Sequence, residues 1–410
     1  MRRFKASISR GSVLLFSLGL AASAQASAEE LPSSPVATGV SYERIDRWGV
    51  DRLNEILAHG APAFTGLEVD YTPATHAVDL YRVTYPTVVP LWDNQPVTVT
   101  GLLAIPDNGA GTLPLLSYQH GSIYRRDEVP SHPDKSPQTQ LILAQFAGQG
   151  YAVAAADYLG LGGSDSPQSY LVKSSHQQTT TDLLGPVAAI LAAQDRAMGP
   201  LFLAGWSQGG YTTMAMLERL ERQGTPVTAA ATAAAPLDLY LSISGYLHYP
   251  RKIDADWLNT LLVMNVFALQ EYHQLPGFAA SVLTPAGYEN GRKLYHSDPS
   301  FRSEDLPVDL RALIREEYFN PHKFSRSRWG RILNESSVYR WVIQTPVRND
   351  YGGSDEAITI GVGRMAQTWQ QAMGAGNQRV QAISMGSDAT HRGTFARAVT
   401  EWKVWFDSMR

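Results

Sequence analysis

Short apolar runs alternate with helix-length stretches through much of the chain. Ala77–Tyr85 and Gln95–Ile105 partly alternate apolar and polar residues, as half-buried strands do. The second run ends at Pro106 and is followed by the turn-rich Asp107-Asn108-Gly109, which predicts an antiparallel start to a sheet. From Leu113 the pattern changes to compact apolar runs at Leu113–Tyr118, Tyr151–Asp157, Leu201–Ala204 and Val227–Ala235. Helix-like stretches sit between them: one containing Leu141–Phe146, one over Gln178–Ala193 and one over Tyr211–Gln223. Such alternation predicts βαβ units on a parallel sheet. It stops near Pro236 and resumes with a strand over Trp341–Val347, a helix over Ile358–Ala372, a strand over Arg379–Met385 and a closing helix over Phe395–Phe406. The roughly 100 residues between are too long for a structureless connection and read as an inserted helical cap, with helices over Trp257–Tyr272 and Pro307–Glu317. Residues 29–70 read as an entry segment with one helix near Trp48–Leu57.

The first residues change the picture of where the protein acts. Arg2, Arg3, Lys5 and Arg10 precede the apolar run Val13–Leu20, and Ala24-Gln25-Ala26 and Ala26-Ser27-Ala28 suit small-residue cleavage. That is the layout of a secretory signal peptide cut after Ala26 or Ala28, and the run is too short to span a membrane comfortably. The expected division is a signal peptide at 1–28, core at 29–236, helical cap at 237–340 and core again at 341–410. Loss of the leader takes the formal net charge from −4 to about −8, a balance that keeps a protein soluble and disfavours nucleic acid. The mature chain has no integral membrane segment by this reading, and its expected place is the periplasm or the medium. The 410 residues contain no cysteine, which excludes disulfides, thiolate catalysis and cysteine-ligated metals. The ten histidines are scattered without metal-ligand spacing, so no metal and no cofactor is expected.

The pentapeptide Gly205-Trp206-Ser207-Gln208-Gly209 lies between an apolar strand and a helix. Two glycines there permit a sharp turn that exposes the serine hydroxyl, the context of a nucleophile elbow. A serine hydroxyl needs a base, and the base needs an acid to fix its tautomer. For a serine on such an elbow they follow in the order acid, then base. Asp355 falls in a Gly-rich loop after a resumed strand and before a helix, with Asp350 its main rival and Glu356 a weaker one. His391 is the last histidine and falls in a loop between the final strand and the last helix. His273, His296 and His322 belong to the cap. The developing oxyanion needs N–H donors, for which Gln208 and the Ser122 amide are the candidates, ahead of Gly121 and Ile123. The Asp157–Ser164 loop is glycine-rich but lacks Walker or dinucleotide spacing, and reads as a structural turn.

Tyr118-Gln119-His120-Gly121, Asp157–Gly162 and Gly205–Gly210 together resemble the α/β-hydrolase superfamily, and within it the secreted esterase or secretory-lipase-like branch. The resemblance covers residues 75–236 and 341–408. It implies an α/β fold with a mostly parallel central sheet flanked by helices, and a helical lid inserted late in the sheet. It also implies a cofactor-free serine carboxylic-ester hydrolase acting on a small-molecule or lipid-like ester through an acyl-enzyme, with Ser207, Asp355 and His391 as the triad. A secreted serine peptidase or amidase of the same fold is the first alternative, with Glu271, Glu316, Glu317 or Arg326-Ser327-Arg328 as a clamp for a peptide terminus. A binding protein on the same scaffold is the second. The cap aromatics Tyr240, Tyr246, Tyr249, Trp257, Phe267, Tyr272 and Phe278 either pack its core or line a cleft for bulky or aromatic esters.

Overall fold

The computed structural model describes residues 34–375 and 379–410; the expected leader at 1–28 lies outside them. Among the described residues ten strands form one sheet: β1 Ser34–Ala37, β2 Val40–Trp48, β3 Val78–Val89, β4 Gln95–Pro106, β5 Thr112–Gln119, β6 Ala152–Ala156, β7 Ala197–Trp206, β8 Ala229–Ala233, β9 Val347–Tyr351 and β10 Val380–Ser384. Their spatial order is β1-β2-β3-β4-β6-β5-β7-β8-β9-β10. Strands β1 to β4 pair antiparallel, β4 pairs antiparallel with β6, and β5 to β10 run parallel.

Of the parallel strands, β5 to β8 read largely as apolar runs because helices bury both of their faces. Alternate residues therefore feed two cores. Leu115, Ala154 and Leu203 join one; Leu116, Val153, Phe202 and Ala204 join the other. The first core lies under helices Lys173–Asp182, Leu184–Ala193 and Gln208–Gln223 and continues into the inserted helices. The second is covered by helices Pro137–Gln145 and His391–Asp407.

Several expectations change in detail. The entry segment contributes two strands besides the helix Val50–Glu55. Strand β2 escapes the period-two pattern because its register with β3 shifts between Arg44 and Asp46, a bulge that resets which side chains face the core. The stretch Trp341–Pro346 is apolar but not a strand. Glu221, at the end of helix Gln208–Gln223, accepts the N–H groups of Gln344 (3.0 Å) and Thr345 (2.8 Å) and the Trp341 indole N–H (2.8 Å). Those amides are satisfied without a ladder, and pairing begins only at Val347. The helix foreseen over Gln178–Ala193 is two helices that meet at Leu183, and only Leu310–Leu313 is α-helical within Pro307–Glu317.

Between β8 and β9 the chain builds the helical insertion, from Leu239–His248 and the long Leu258–Tyr272 through to Arg328–Glu335. Its helix starts are legible in local chemistry. Asp238, Thr284, Asp309, Asn320 and Ser327 each cap a helix by accepting a backbone N–H. Its two stems meet. Val338 N–H donates to Leu237 O (3.1 Å), and the fully buried Asp238 carboxylate accepts from Leu241 N–H (2.9 Å), Tyr339 O–H (2.6 Å) and Arg340 Nη2 (3.1 Å). Replacing Asp238 by Ala strands a buried hydroxyl and a helix N-terminus, which should cost on the order of 2 kcal/mol. Urea unfolding should show that loss, and limited proteolysis should cut faster between residues 239 and 338; unchanged cutting would remove the clamp role.

Candidate active site

Ser207 sits between β7 and helix Gln208–Gln223 with φ 56° and ψ −123°, a left-handed-side conformation that an ordinary side chain adopts only under constraint. The constraint is close packing. A Cβ at Gly205 would lie 2.3 Å from Gly209 O, and one at Gly209 would lie 1.9 Å from Gln119 O. The two glycines let the strand, the turn and the β5 loop touch backbone to backbone. The Ser207 N–H donates to Ala233 O (2.9 Å), which ties the turn to β8.

The His391 ring lies between Ser207 and Asp355. Its Nε2 is 2.9 Å from Ser207 Oγ, and its Nδ1 is 3.0 and 3.1 Å from the two Asp355 oxygens. All three residues are buried, Ser207 at 8 % exposure. The sequence suggested a loop for His391; the structure makes it the first residue of helix His391–Asp407, capped by Thr390, whose Oγ1 accepts Gly393 N–H (3.1 Å). The backbone at His391 is held at both ends. Glu356 Oε2 accepts its N–H (2.9 Å), and its carbonyl accepts the Trp206 indole N–H (3.1 Å). Asp355 Oδ1 also accepts the amides of Ala357 and Ile358, each at 2.8 Å, so the carboxylate is aimed by its own loop.

The rival acids fall elsewhere. Glu356 holds the His391 backbone rather than its ring. Asp350 lies inside the sheet on β9, where its Oδ2 accepts the Trp402 indole N–H at 2.5 Å. Burial pushes the Asp350 carboxyl up to about 7, against a partial offset from the Trp402 hydrogen bond.

The loop after β5 carries the other donor candidates. Gly121 N–H is already given to Gln138 Oε1 (2.7 Å), which removes it from that set, and Ser122 Oγ pairs with Tyr170 O–H (2.8 Å). His120 is buried and stacked on Tyr158 at 4.0 Å, so it shapes the loop; burial depresses its basicity. The Gln208 N–H is the first amide of its helix and has no carbonyl one turn back to bond. Asp157 anchors its own turn by accepting Ser131 N–H (2.9 Å) and Thr100 O–H (2.6 Å).

Ser207 opens onto a cavity of about 320 Å³ between the core and the insertion. Its walls are mainly apolar, from Leu239, Ile243, Leu258, Leu261, Leu262 and Ile358. The insertion aromatics divide. Tyr246, Tyr249 and Trp257 line the cavity, and Trp257 comes within 5.7 Å of the His391 ring, centroid to centroid. Phe267, Tyr272 and Phe278 pack the insertion core, and Tyr240 stacks on Phe324 at 5.4 Å. Sequence reasoning missed the parts of Tyr170, Glu356 and Asn265. The first and last reach the cavity through tertiary packing and carry no motif. Glu356 adjoins Asp355, and nothing in the sequence marks its carboxylate as the partner of the His391 amide. None of His273, His296 and His322 lines the cavity. Among the described residues no cluster of His, Asp and Glu could hold a metal, and no helix is long and apolar enough to cross a membrane.

A serine on a strained turn, a histidine against its hydroxyl and a carboxylate behind that histidine define a serine hydrolase. The chain has the α/β-hydrolase fold. The family model described as serine aminopeptidase, S33, matches residues 133–275. Among solved structures, a hydrolase candidate from Legionella pneumophila has a TM-score of 0.78 at 21 % identity, over 90 % of this chain and 97 % of that one. The rice cell wall degrading esterase LipA from Xanthomonas oryzae, in a ligand-bound form, has 0.77 at 20 %, over 90 % and 98 %. Candida antarctica lipase A in its closed state has 0.59 at 15 %, over 85 % and 77 %. No curated protein matches the sequence significantly.

The raised Asp350 carboxyl makes a pH prediction. The folded state keeps this proton from about pH 4 to about pH 7 while the unfolded chain releases it, so this group's contribution to stability falls as pH rises through that window and is level above it. Urea midpoints at about pH 5 and about pH 8 should fall more for the wild type than for Asp350→Asn; an equal or larger fall in the variant would contradict the assignment.

Proposed function

We propose that the protein is a secreted or periplasmic serine carboxylic-ester hydrolase whose triad is Ser207, His391 and Asp355, with residues 237–340 as its cap. His391 Nε2 takes the Ser207 proton as Oγ attacks the ester carbonyl. The amide N–H groups of Gln208 and Ser122 receive the charge that develops on the carbonyl oxygen. Asp355 holds the imidazole in the tautomer with Nδ1 protonated and stabilises the cation that forms. The alcohol leaves with the proton from Nε2. Water then attacks the acyl-enzyme by the same roles in reverse, releasing the acid.

The observation that carries the ester reading is the apolar cavity at Ser207. An aminopeptidase needs a carboxylate free to hold a substrate ammonium. The acid lining this cavity, Asp254, is already paired with Arg251 through its N–H (2.6 Å), Nε (2.7 Å) and Nη2 (2.7 Å). Glu271, Glu316 and Glu317 do not line it, and Glu316 is bound to Arg311 at 3.0 Å. The peptidase reading draws its support from the S33 match alone. A cavity of about 320 Å³ stands at the small end for a ligand pocket and favours short and medium acyl groups over palmitate.

p-Nitrophenyl esters from acetate to palmitate, run beside aminoacyl-p-nitroanilides, test this reading. Ester cleavage with an optimum below the longest chains is expected, and anilide cleavage outrunning ester cleavage would transfer the protein to the peptidases. Ser207→Ala and Asp355→Asn should each lower kcat by about 10⁴-fold while remaining folded. Asp350→Asn should keep most activity, and a loss as large as that of Asp355→Asn would reassign the acid.

A further inference from the structure

The long insertion helix Leu258–Tyr272 is fastened at two points to the two halves of the site. At its start Trp257 packs on the His391 ring, 5.7 Å between centroids, and Ala255 N–H donates to Glu356 O (3.1 Å). Eight residues beyond Trp257, Asn265 Nδ2 donates to Tyr170 O (3.4 Å). Tyr170 in turn pairs its hydroxyl with Ser122 Oγ (2.8 Å). A helix rises about 1.5 Å per residue, which sets the two fastenings about 12 Å apart. One is at His391, the other at the loop of the Ser122 amide. Between them Leu258, Leu261 and Leu262 line the cavity, a spacing that belongs to one helix face. The cavity therefore has a direction, from a His391 end to a Tyr170 end.

Its two ends differ in composition. Trp257 lines the first. Tyr246 stands with it, because its hydroxyl donates to Asn259 Oδ1 (2.8 Å) two residues past Trp257, and Tyr249 follows Tyr246 by about one turn. Leu171, next to Tyr170, and Leu262, about one turn before Asn265, line the second. In acylation His391 Nε2 hands the proton to the departing alcohol, so the alcohol oxygen belongs at the His391 end. The carbonyl oxygen turns to the Gln208 and Ser122 amides, which leaves the Tyr170 end to the acyl chain. We propose that the aromatic end receives the alcohol and the aliphatic end the acyl group; the preferred substrates are then esters of an arylalkyl alcohol with an aliphatic acid. This rests on the ester-hydrolase reading above. Aromatic rings gain from packing on one another beyond the area they bury, so Trp257 favours a flat ring on the alcohol over a saturated one of equal size.

Mirror-image pairs of esters separate the two ends by pH-stat hydrolysis. 2-Phenylethyl acetate against 2-cyclohexylethyl acetate carries the ring on the alcohol. Ethyl 3-phenylpropanoate against ethyl 3-cyclohexylpropanoate carries it on the acid. The comparison uses kcat/KM, which reports acylation, while the alcohol is still attached. The wild type should favour the phenyl member of the first pair about fivefold and the cyclohexyl member of the second. Trp257→Ala should bring the first ratio to about one and leave the second where it was, and Trp257→Phe should keep most of the first preference. Tyr249→Ala, at a residue 76 % exposed, should shift the first ratio the same way if the tryptophan variant misfolds. Leu262→Ala should lower kcat/KM on both ring-bearing acids about tenfold relative to the acetates without moving the first ratio. Leu171→Ala should repeat that result if Leu262→Ala misfolds. A wild type indifferent to the ring in both pairs overturns this proposal alone. So does a Trp257→Ala that slows all four esters equally, which would make the indole a support for His391, or one that moves the second ratio in place of the first. A folded wild type that cleaves no ester overturns the ester reading together with it.

Discussion

The site depends on one backbone conformation. Ser207 at φ 56° is where β7 stops being strand and becomes helix within a single residue, and three backbone segments must come into contact for that to persist. Gly205 faces Gly209, and Gly209 faces the Gln119 carbonyl at the end of β5. The turn therefore does more than expose a hydroxyl. It also holds the β5 loop, with Ser122 and its Tyr170 partner, in register with the helix whose first amide belongs to Gln208. Strain at one residue is sustained by packing that also sets the β5 loop against the start of the helix.

Much of this was legible in the sequence, and for reasons that can be named. Strands β5 to β8 announce themselves largely as apolar runs because both faces of the sheet are covered. The strand, turn and helix around Ser207 are encoded locally by the glycines and by the change of period. Asp355 and His391 could be singled out because chain order and loop position narrow the choice to few residues. What stayed hidden depends on distant partners. Strand β9, with the sequence Val-Arg-Asn-Asp-Tyr, is too polar to read as a buried strand. It is one because Asn349 finds Thr232 and Asp350 finds Trp402. Conversely, Trp341–Pro346 has the composition of a strand, but its Gln344 and Thr345 amides go to Glu221 and its Ile343 amide to Gln370. The cavity lining draws on helices far apart in sequence, so no local pattern marks Asn265 or Tyr170 as neighbours of Ser207.

The insertion and the core share the site unequally. The core supplies Ser207, Asp355 and the helix start at His391 beyond the carboxyl ends of β7, β9 and β10, where open parallel sheets place their ligand crevices. The insertion supplies most of the walls, and it reaches the surroundings of His391 through Trp257 beside its ring and Ala255 N–H on Glu356 O (3.1 Å). Glu356 is thus common to both, with its carboxylate on the His391 amide and its carbonyl on the insertion. The position of His391 and the position of the wall are coupled through one residue.

The clamp at Asp238 has a topological consequence. The chain leaves the sheet at Leu237 and returns at Val338, and these two points are hydrogen-bonded neighbours. To the sheet, some hundred residues of insertion amount to a hairpin with a narrow neck. The entropy of closing such a loop grows only as the logarithm of its length, so the core is nearly indifferent to how much chain hangs beyond the neck. A scaffold joined to its insertion in this way can exchange that insertion for a longer, shorter or differently folded one, provided the replacement brings its two ends to the same carboxylate.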